Sequence, residues 1–200
     1  MNSHRPLLIG ITGGIGAGKS TAAKIFSVLG IPVYSADDRA KWLMVHSLEL
    51  KQKIQAHFGE ESYFDEGGLN RAFLAEKVFS DPEQTKVING LVHPAVKKDF
   101  EQWATSHQTP YVLKEAALLF ESGSYQDLDK VINVSAPVEL RMSRIMARDA
   151  HRSKEQVVSI MERQMSDSEK NKLADFVISN EENQALIPQV LQIHKILSKA

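Results

Sequence analysis

GITGGIGAGKST (residues 10–21) follows an apolar run, Leu7–Thr12, and leads into KSTAAKIFSVL (19–29), where Ala22, Ala23, Phe26 and Leu29 recur at helical spacing before Gly30. Within it, Gly13-x-x-x-x-Gly18-Lys19-Ser20 is the phosphate-binding loop pattern, set between a strand and a helix as that pattern requires. The residue types follow from the chemistry. Backbone N–H groups converge on a polyphosphate only where side chains are absent, hence Gly13, Gly14, Gly16 and Gly18. The helix opening near Lys19 adds the positive end of its dipole. The candidate nucleotide-binding residues are therefore Gly14, Ile15, Gly16, Ala17, Gly18, Lys19, Ser20 and Thr21. In this pattern Lys19 reaches the β- and γ-phosphates and the Ser20 hydroxyl ligates Mg²⁺. A dinucleotide-binding loop counted from Gly14 and Gly16 would need its third glycine at position 19, which is lysine.

Outward from the loop, IPVYSAD (31–37) reads as a second strand ending in acid, and the β-loop-α-β opening predicts a parallel sheet flanked by helices. Strand character returns at 110–116, 129–137 and 175–180, giving a five-stranded α/β core over about 6–38, 108–137 and 172–200. Two charged, helical stretches interrupt that core: an insertion over about 39–107 and a lid over about 138–171. Ser80-Asp81-Pro82-Glu83 predicts a helix start with proline in the first position, and Gly67-Gly68 a turn. The final helix carries Leu186, Val190 and Leu191 on its expected apolar side.

The sequence has 200 residues, enough for one good core, and a formal net charge of −1, which argues against a dedicated nucleic-acid partner. It contains no cysteine, which excludes disulfides, thiolate metal sites and thiol catalysis. No apolar stretch reaches the length of a membrane span, and a cleavable leader would consume part of the loop, so a cytoplasmic location without membrane attachment is expected. Homo-oligomerisation is left open.

A GTPase would need Asn-Lys-x-Asp, but Asn171-Lys172 is followed by Leu-Ala, and no strand precedes Asp65-Glu-Gly-Gly68. The short chain with helical insertions instead fits a small-molecule kinase. A nucleoside or nucleotide kinase and a non-catalytic nucleotide-binding module are the alternatives. Asp37 closes the second strand, at the sheet edge where ligands of open parallel sheets bind, and is a candidate to face the γ-phosphate, to accept a proton from an attacking hydroxyl or to hold a metal-bound water. Glu115 closes the third strand and either completes the magnesium environment through water or forms a salt bridge. Arg141, Arg144 and Arg148 share one helix face, with Arg152 extending the stripe, and suit the phosphates of ATP. His93, before Pro94, reads from spacing alone as a turn residue.

In order along the chain, GITGGIGAGKS (10–20), Ala36-Asp37, Leu-Asn-Arg (69–71), His93-Pro94, Leu-Leu-Phe-Glu (118–121), Arg-x-x-x-Arg-Asp (144–149), Gln164 and Ala-Asp…Asn (174–180) resemble the bacterial dephospho-coenzyme A kinases. The resemblance implies a P-loop kinase using ATP and Mg²⁺, with dephospho-CoA as acceptor. It implies Asp37 as general base, Arg71 and His93 in the acceptor-binding insertion, Arg144 and Arg148 in the lid, and Asn180 near the adenine of ATP. Ala117 departs from the proline usual in that family, and Arg141 from glutamine.

Overall fold

The computed structural model describes residues 5–79 and 81–199; Ser80, part of the expected helix start, lies outside them. In chain order the elements are β1 (Leu7–Thr12), α1 (Lys19–Val28), β2 (Val33–Ser35), α2 (Ala36–His46), α3 (Leu48–Phe58), α4 (Arg71–Phe79) and α5 (Pro82–Thr105). Then follow β3 (Tyr111–Glu115), β4 (Lys130–Ser135), α6 (Val138–Arg148), α7 (Lys154–Glu162), α8 (Asp167–Leu173), β5 (Phe176–Ser179) and α9 (Leu186–Leu197). They form two compact units, one reaching to Ser35 and resuming at Ala104, the other Ala36–Trp103.

The first unit is the expected sheet: five strands in the order β2-β3-β1-β4-β5, each neighbouring pair parallel. Parallel strands covered on both faces read as continuous apolar runs, and Tyr111–Leu113 and Val131–Val134 are buried throughout. In the β1–β3 register Ile11 lies opposite Glu115, so β3 delivers that carboxylate beside the chain leaving β1 for the loop. Phe26 of α1 is buried among β1, β3, β4 and α9, edge-on to Tyr111 with ring centroids 6.4 Å apart. The Tyr111 hydroxyl lies 2.8 Å from His194 Nδ1, and burial raises its pKa.

Two expected boundaries shift. The strand 31–37 shortens to Val33–Ser35 because the chain turns helical at Ala36, which puts Asp37 and Asp38 in the first turn of α2, where carboxylates are favoured. The buried stripe of α9 is Val190, Ile193 and Leu197, with Leu186 packed against the core, so Leu186 and Val190 lie on the expected apolar side whereas Leu191 is 45% exposed.

In the second unit, Leu50, Ile54 and Phe58 of α3 recur every fourth residue and are buried, as are Val92, Val96 and Phe100 of α5. Arg39 meets Asp99 through two hydrogen bonds of 2.9 and 2.6 Å. His93 and Pro94 correct the turn reading, since both lie inside the 24-residue helix α5. Pro94 has no N–H to donate to the carbonyl four residues back, at Gly90, a cost that a long helix packed by its apolar face absorbs. No helix among the described residues is long and apolar enough to cross a membrane.

Phe26→Ala empties a fully buried site at the junction of sheet, α1 and α9, and should lower unfolding free energy by about 3–5 kcal/mol. Urea denaturation followed by circular dichroism measures it.

Candidate active site

The first unit holds a cavity of about 520 Å³ lined by the loop residues Gly13–Gly16 and Gly18–Thr21 and, across from them, Ala117, Leu118, Arg144, Arg148, Arg163 and Gln164, among others. Gly18 begins α1 in the left-handed region, with φ of 92°, and no side chain caps that end. The first turn of α1 carries no acid either, so its backbone donors and Lys19 together make an anion-binding terminus.

Lys19 Nζ lies 3.1 Å from Glu115 Oε1, and the Ser20 hydroxyl donates to the same oxygen at 2.6 Å. Of the two roles weighed for Glu115 from the sequence, the salt bridge is formed, with the loop lysine, and the same oxygen accepts from the Ser20 hydroxyl. No cluster of three or more metal-ligating His, Asp or Glu occurs among the described residues. Hydroxyl and carboxylate oxygens are the hard donors Mg²⁺ takes, usually alongside phosphate oxygens and waters.

The arginine stripe divides. Arg144 lines the cavity, its Nη2 lying 3.3 Å from the Asn180 carbonyl and 3.4 Å from Asn180 Oδ1, while Nη1 is buried without a hydrogen-bond partner. Arg148 also lines the cavity but forms a two-pronged pair with Asp149, 2.9 Å on each side. Those bonds raise the pKa of Arg148 and hold the Asp149 carboxyl below the usual carboxylate range. Arg141 leaves the stripe: it is buried, pairs with Asp167, and donates to the Ile15 carbonyl.

Two residues expected at the nucleotide, Ala17 and Asn180, are not among those lining the cavity. The Ala17 side chain is buried beneath the loop. Asn180 Nδ2, expected at the adenine end, donates to the Ala17 carbonyl at 2.7 Å and so braces the loop. Gln164, which appeared only as a motif match, accepts the Ile15 N–H at 2.8 Å. Its neighbours are anchored as well. Met165 N–H donates to Glu121 at 2.8 Å, and Glu121 pairs with the fully buried Lys170 at 2.9 Å. Arg163, which the sequence reading missed, adds a further cation to the cavity wall. Its only sequence signal is its position beside Gln164.

The remaining candidates belong to the second unit. Asp37 is exposed in the first turn of α2. Arg71 is the first residue of α4, exposed, directly after Asn70, whose side chain accepts the Phe73 N–H. His93 is exposed on α5. A cavity of about 470 Å³ in this unit is lined by α3 and α5 residues, Lys53, Pro94 and Lys98 among them, and includes neither Arg71 nor His93.

Residues 7–185 match the sequence model of the family described as dephospho-CoA kinase. A dephospho-CoA kinase of Porphyromonas gingivalis is 40% identical over 187 residues, covering 94% of this chain and 92% of its own. One from Bacteroides fragilis is 39% identical over 186 residues, covering 92% and 90%. Among solved structures, a Thermus thermophilus protein superposes with a TM-score of 0.85 at 34% identity, covering 96% of this chain and 98% of its own. A dephospho-CoA kinase from Campylobacter jejuni gives 0.69 at 32% identity, covering 96% and 97%.

Lys19→Ala removes a cation that faces the cavity and Glu115 rather than the core. It should weaken ATP binding about ten- to a hundredfold, the worth of one charge-assisted hydrogen bond. Calorimetric titration measures the loss, and an unchanged far-ultraviolet circular dichroism spectrum checks that the fold is kept.

Proposed function

The chain belongs to the dephospho-CoA kinase family, and we infer that it transfers the γ-phosphoryl group of ATP to the ribose 3′-hydroxyl of dephospho-CoA, yielding CoA and ADP. The observation that carries this reading is the family match over nearly the whole chain together with a formed phosphate loop, in which Lys19, Ser20 and Glu115 meet at one carboxylate oxygen.

Phosphoryl transfer asks for positioning and charge stabilisation more than covalent chemistry. The loop N–H groups and Lys19 hold the donor's phosphates. Ser20, with Glu115 behind it, is the site for Mg²⁺, which when bound screens phosphate charge. Asp37 takes the proton of the 3′-hydroxyl as its oxygen bonds to the γ-phosphorus and the bond to the bridging oxygen breaks, releasing ADP. Its support is its place two residues beyond β2, at the carboxyl edge of a parallel sheet, and its exposure. Arg144 and Arg148, on the 138–171 lid, neutralise charge developing on the transferred group. Lid closure keeps out water that would otherwise hydrolyse ATP.

We assign the acceptor to the helical insertion, about 39–107, through Arg71 and His93. Arg71 sits at a helix N-terminus, where a cation is locally disfavoured and an anion favoured, and makes no ion pair among the described residues. The pyrophosphate of dephospho-CoA supplies such an anion.

Mass spectrometry after incubation with Mg-ATP and dephospho-CoA should show CoA; phosphorylation of nucleosides instead would replace the acceptor. Asp37→Asn should lower kcat about 10²–10⁴-fold, the usual contribution of a general base, with little change in either KM. Arg71→Ala should raise the KM for dephospho-CoA about ten- to a hundredfold and leave that for ATP nearly unchanged, because it removes binding common to ground and transition states. Steady-state kinetics with each substrate varied in turn separates the two effects. A rise confined to the ATP KM would assign the insertion to the wrong ligand.

A further inference from the structure

Resting on the reading of Gly13–Ser20 as the nucleotide site, we propose that Arg141 is a positioning residue for the loop, and that in this chain its guanidinium occupies the space a side chain at position 14 would need. Arg141 is only 5% exposed, so it does not serve the cavity as Arg144 and Arg148 do. Its Nε donates to the Ile15 carbonyl at 2.9 Å, and Nη1 lies 3.2 Å from Asp167 Oδ1. Asp167 is the first residue of α8, and its other oxygen lies 3.4 Å from both the Ser135 hydroxyl and the Ala136 N–H at the end of β4. The guanidinium is therefore tied at both ends and cannot swing away cheaply.

A Cβ on Gly14 would lie 2.2 Å from Nη2, 2.3 Å from Cζ and 2.7 Å from Nη1 of Arg141. The other loop glycines have different reasons. Gly16 and Gly18 have φ of +81° and +92°, which L residues rarely adopt, and a Cβ on Gly13 would meet the backbone oxygen of Val134 at 2.4 Å. Gly14 is not among the positive-φ residues, so no left-handed backbone bars a side chain there once the guanidinium is gone.

The link to function runs through one peptide plane. In a trans peptide the carbonyl and the following N–H point in opposite directions. Holding the Ile15 carbonyl toward the buried guanidinium aims the Gly16 N–H away from it, and the cation polarises that peptide into a stronger donor. On the N-terminal side, Gln164 holds the Ile15 N–H. Arg141 thus sets the direction of a loop donor without touching the nucleotide.

The test is a double-mutant cycle, with Mg-ADP binding read by calorimetry and the KM values by steady-state kinetics. Arg141→Gln should raise the dissociation constant for Mg-ADP and the KM for ATP about tenfold, the lower end for a charge-assisted hydrogen bond, while the KM for dephospho-CoA stays within about twofold. Gly14→Ala should weaken Mg-ADP about tenfold or more in the native background but only about twofold or less beside Arg141→Gln. Equal penalties in the two backgrounds would overturn the proposal. So would an Arg141→Gln protein with a lowered Tm and an unmoved KM for ATP, because Arg141 would then be scaffold alone. If Arg141→Gln does not fold, Asp167→Asn, which frees one end of the guanidinium, replaces it; Gly14→Ala should be milder there, and an undiminished penalty overturns the idea. Native protein that does not bind Mg-ADP would remove the reading of the loop, and this inference with it.

Discussion

A loop built of glycine cannot hold its own shape. With side chains only at Ile15 and Ala17, the segment Gly13–Gly18 has little packing of its own, yet its N–H groups must converge on one anion, so its neighbours have to fix it. Gly13 lies against the β4 backbone at Val134, Arg141 holds the Ile15 carbonyl, Gln164 the Ile15 N–H, and Asn180 the Ala17 carbonyl. These partners come from β4, α6, the chain between α7 and α8, and the end of β5. Much of the C-terminal half of the first unit therefore serves to shape a few residues near the start of the chain. The buried Lys170 and the part-buried Asp167 and Glu121 belong to the same support. Each is costly to bury alone and is tolerated because it is paired.

The elements were legible where periodicity and backbone chemistry agreed. β1 falls on Leu7–Thr12 as read, α1 starts at Lys19, and α5 starts at Pro82. The readings that moved did so where tertiary packing outweighed local preference. His93-Pro94 looked like a turn because proline lacks an N–H, but Val92, Val96 and Phe100 bury one face of α5 and carry the helix through it. Ala36-Asp37 read as the end of the second strand, yet Asp37 and Asp38 both lie in the first turn of α2, where acids are favoured.

At the site, the residues of the loop were legible and their division of labour was not. Arg141, Arg144 and Arg148 have the same chemistry and lie on one helix face by spacing, but that face curves from the buried underside of the loop to solvent. Arg141 lies at one end of that range, buried, and Arg148 at the other, 65% exposed. Spacing gives the angle around a helix axis and says nothing of what lies along its length. Asn180 and Gln164 were singled out, but their bracing contacts were not legible, because an amide bound to a loop carbonyl or N–H some 150 residues away in sequence leaves no local pattern to read.

The two cavity arginines also differ in readiness. Arg144 has a neutral partner in Asn180 and one buried nitrogen without an acceptor, so a phosphate oxygen reaching it displaces no carboxylate. Arg148 is held by both oxygens of Asp149, which Arg152 also approaches at 3.4 Å. A phosphate must compete with that carboxylate, and Arg152 lowers the cost by remaining as a partner for Asp149. On the proposed mechanism Arg144 is therefore set before the nucleotide arrives, whereas Arg148 is drawn in by the charge that gathers during transfer. Such a recruited cation contributes more to the transition state than to the ground state, which is where a lid residue raises kcat rather than lowering KM.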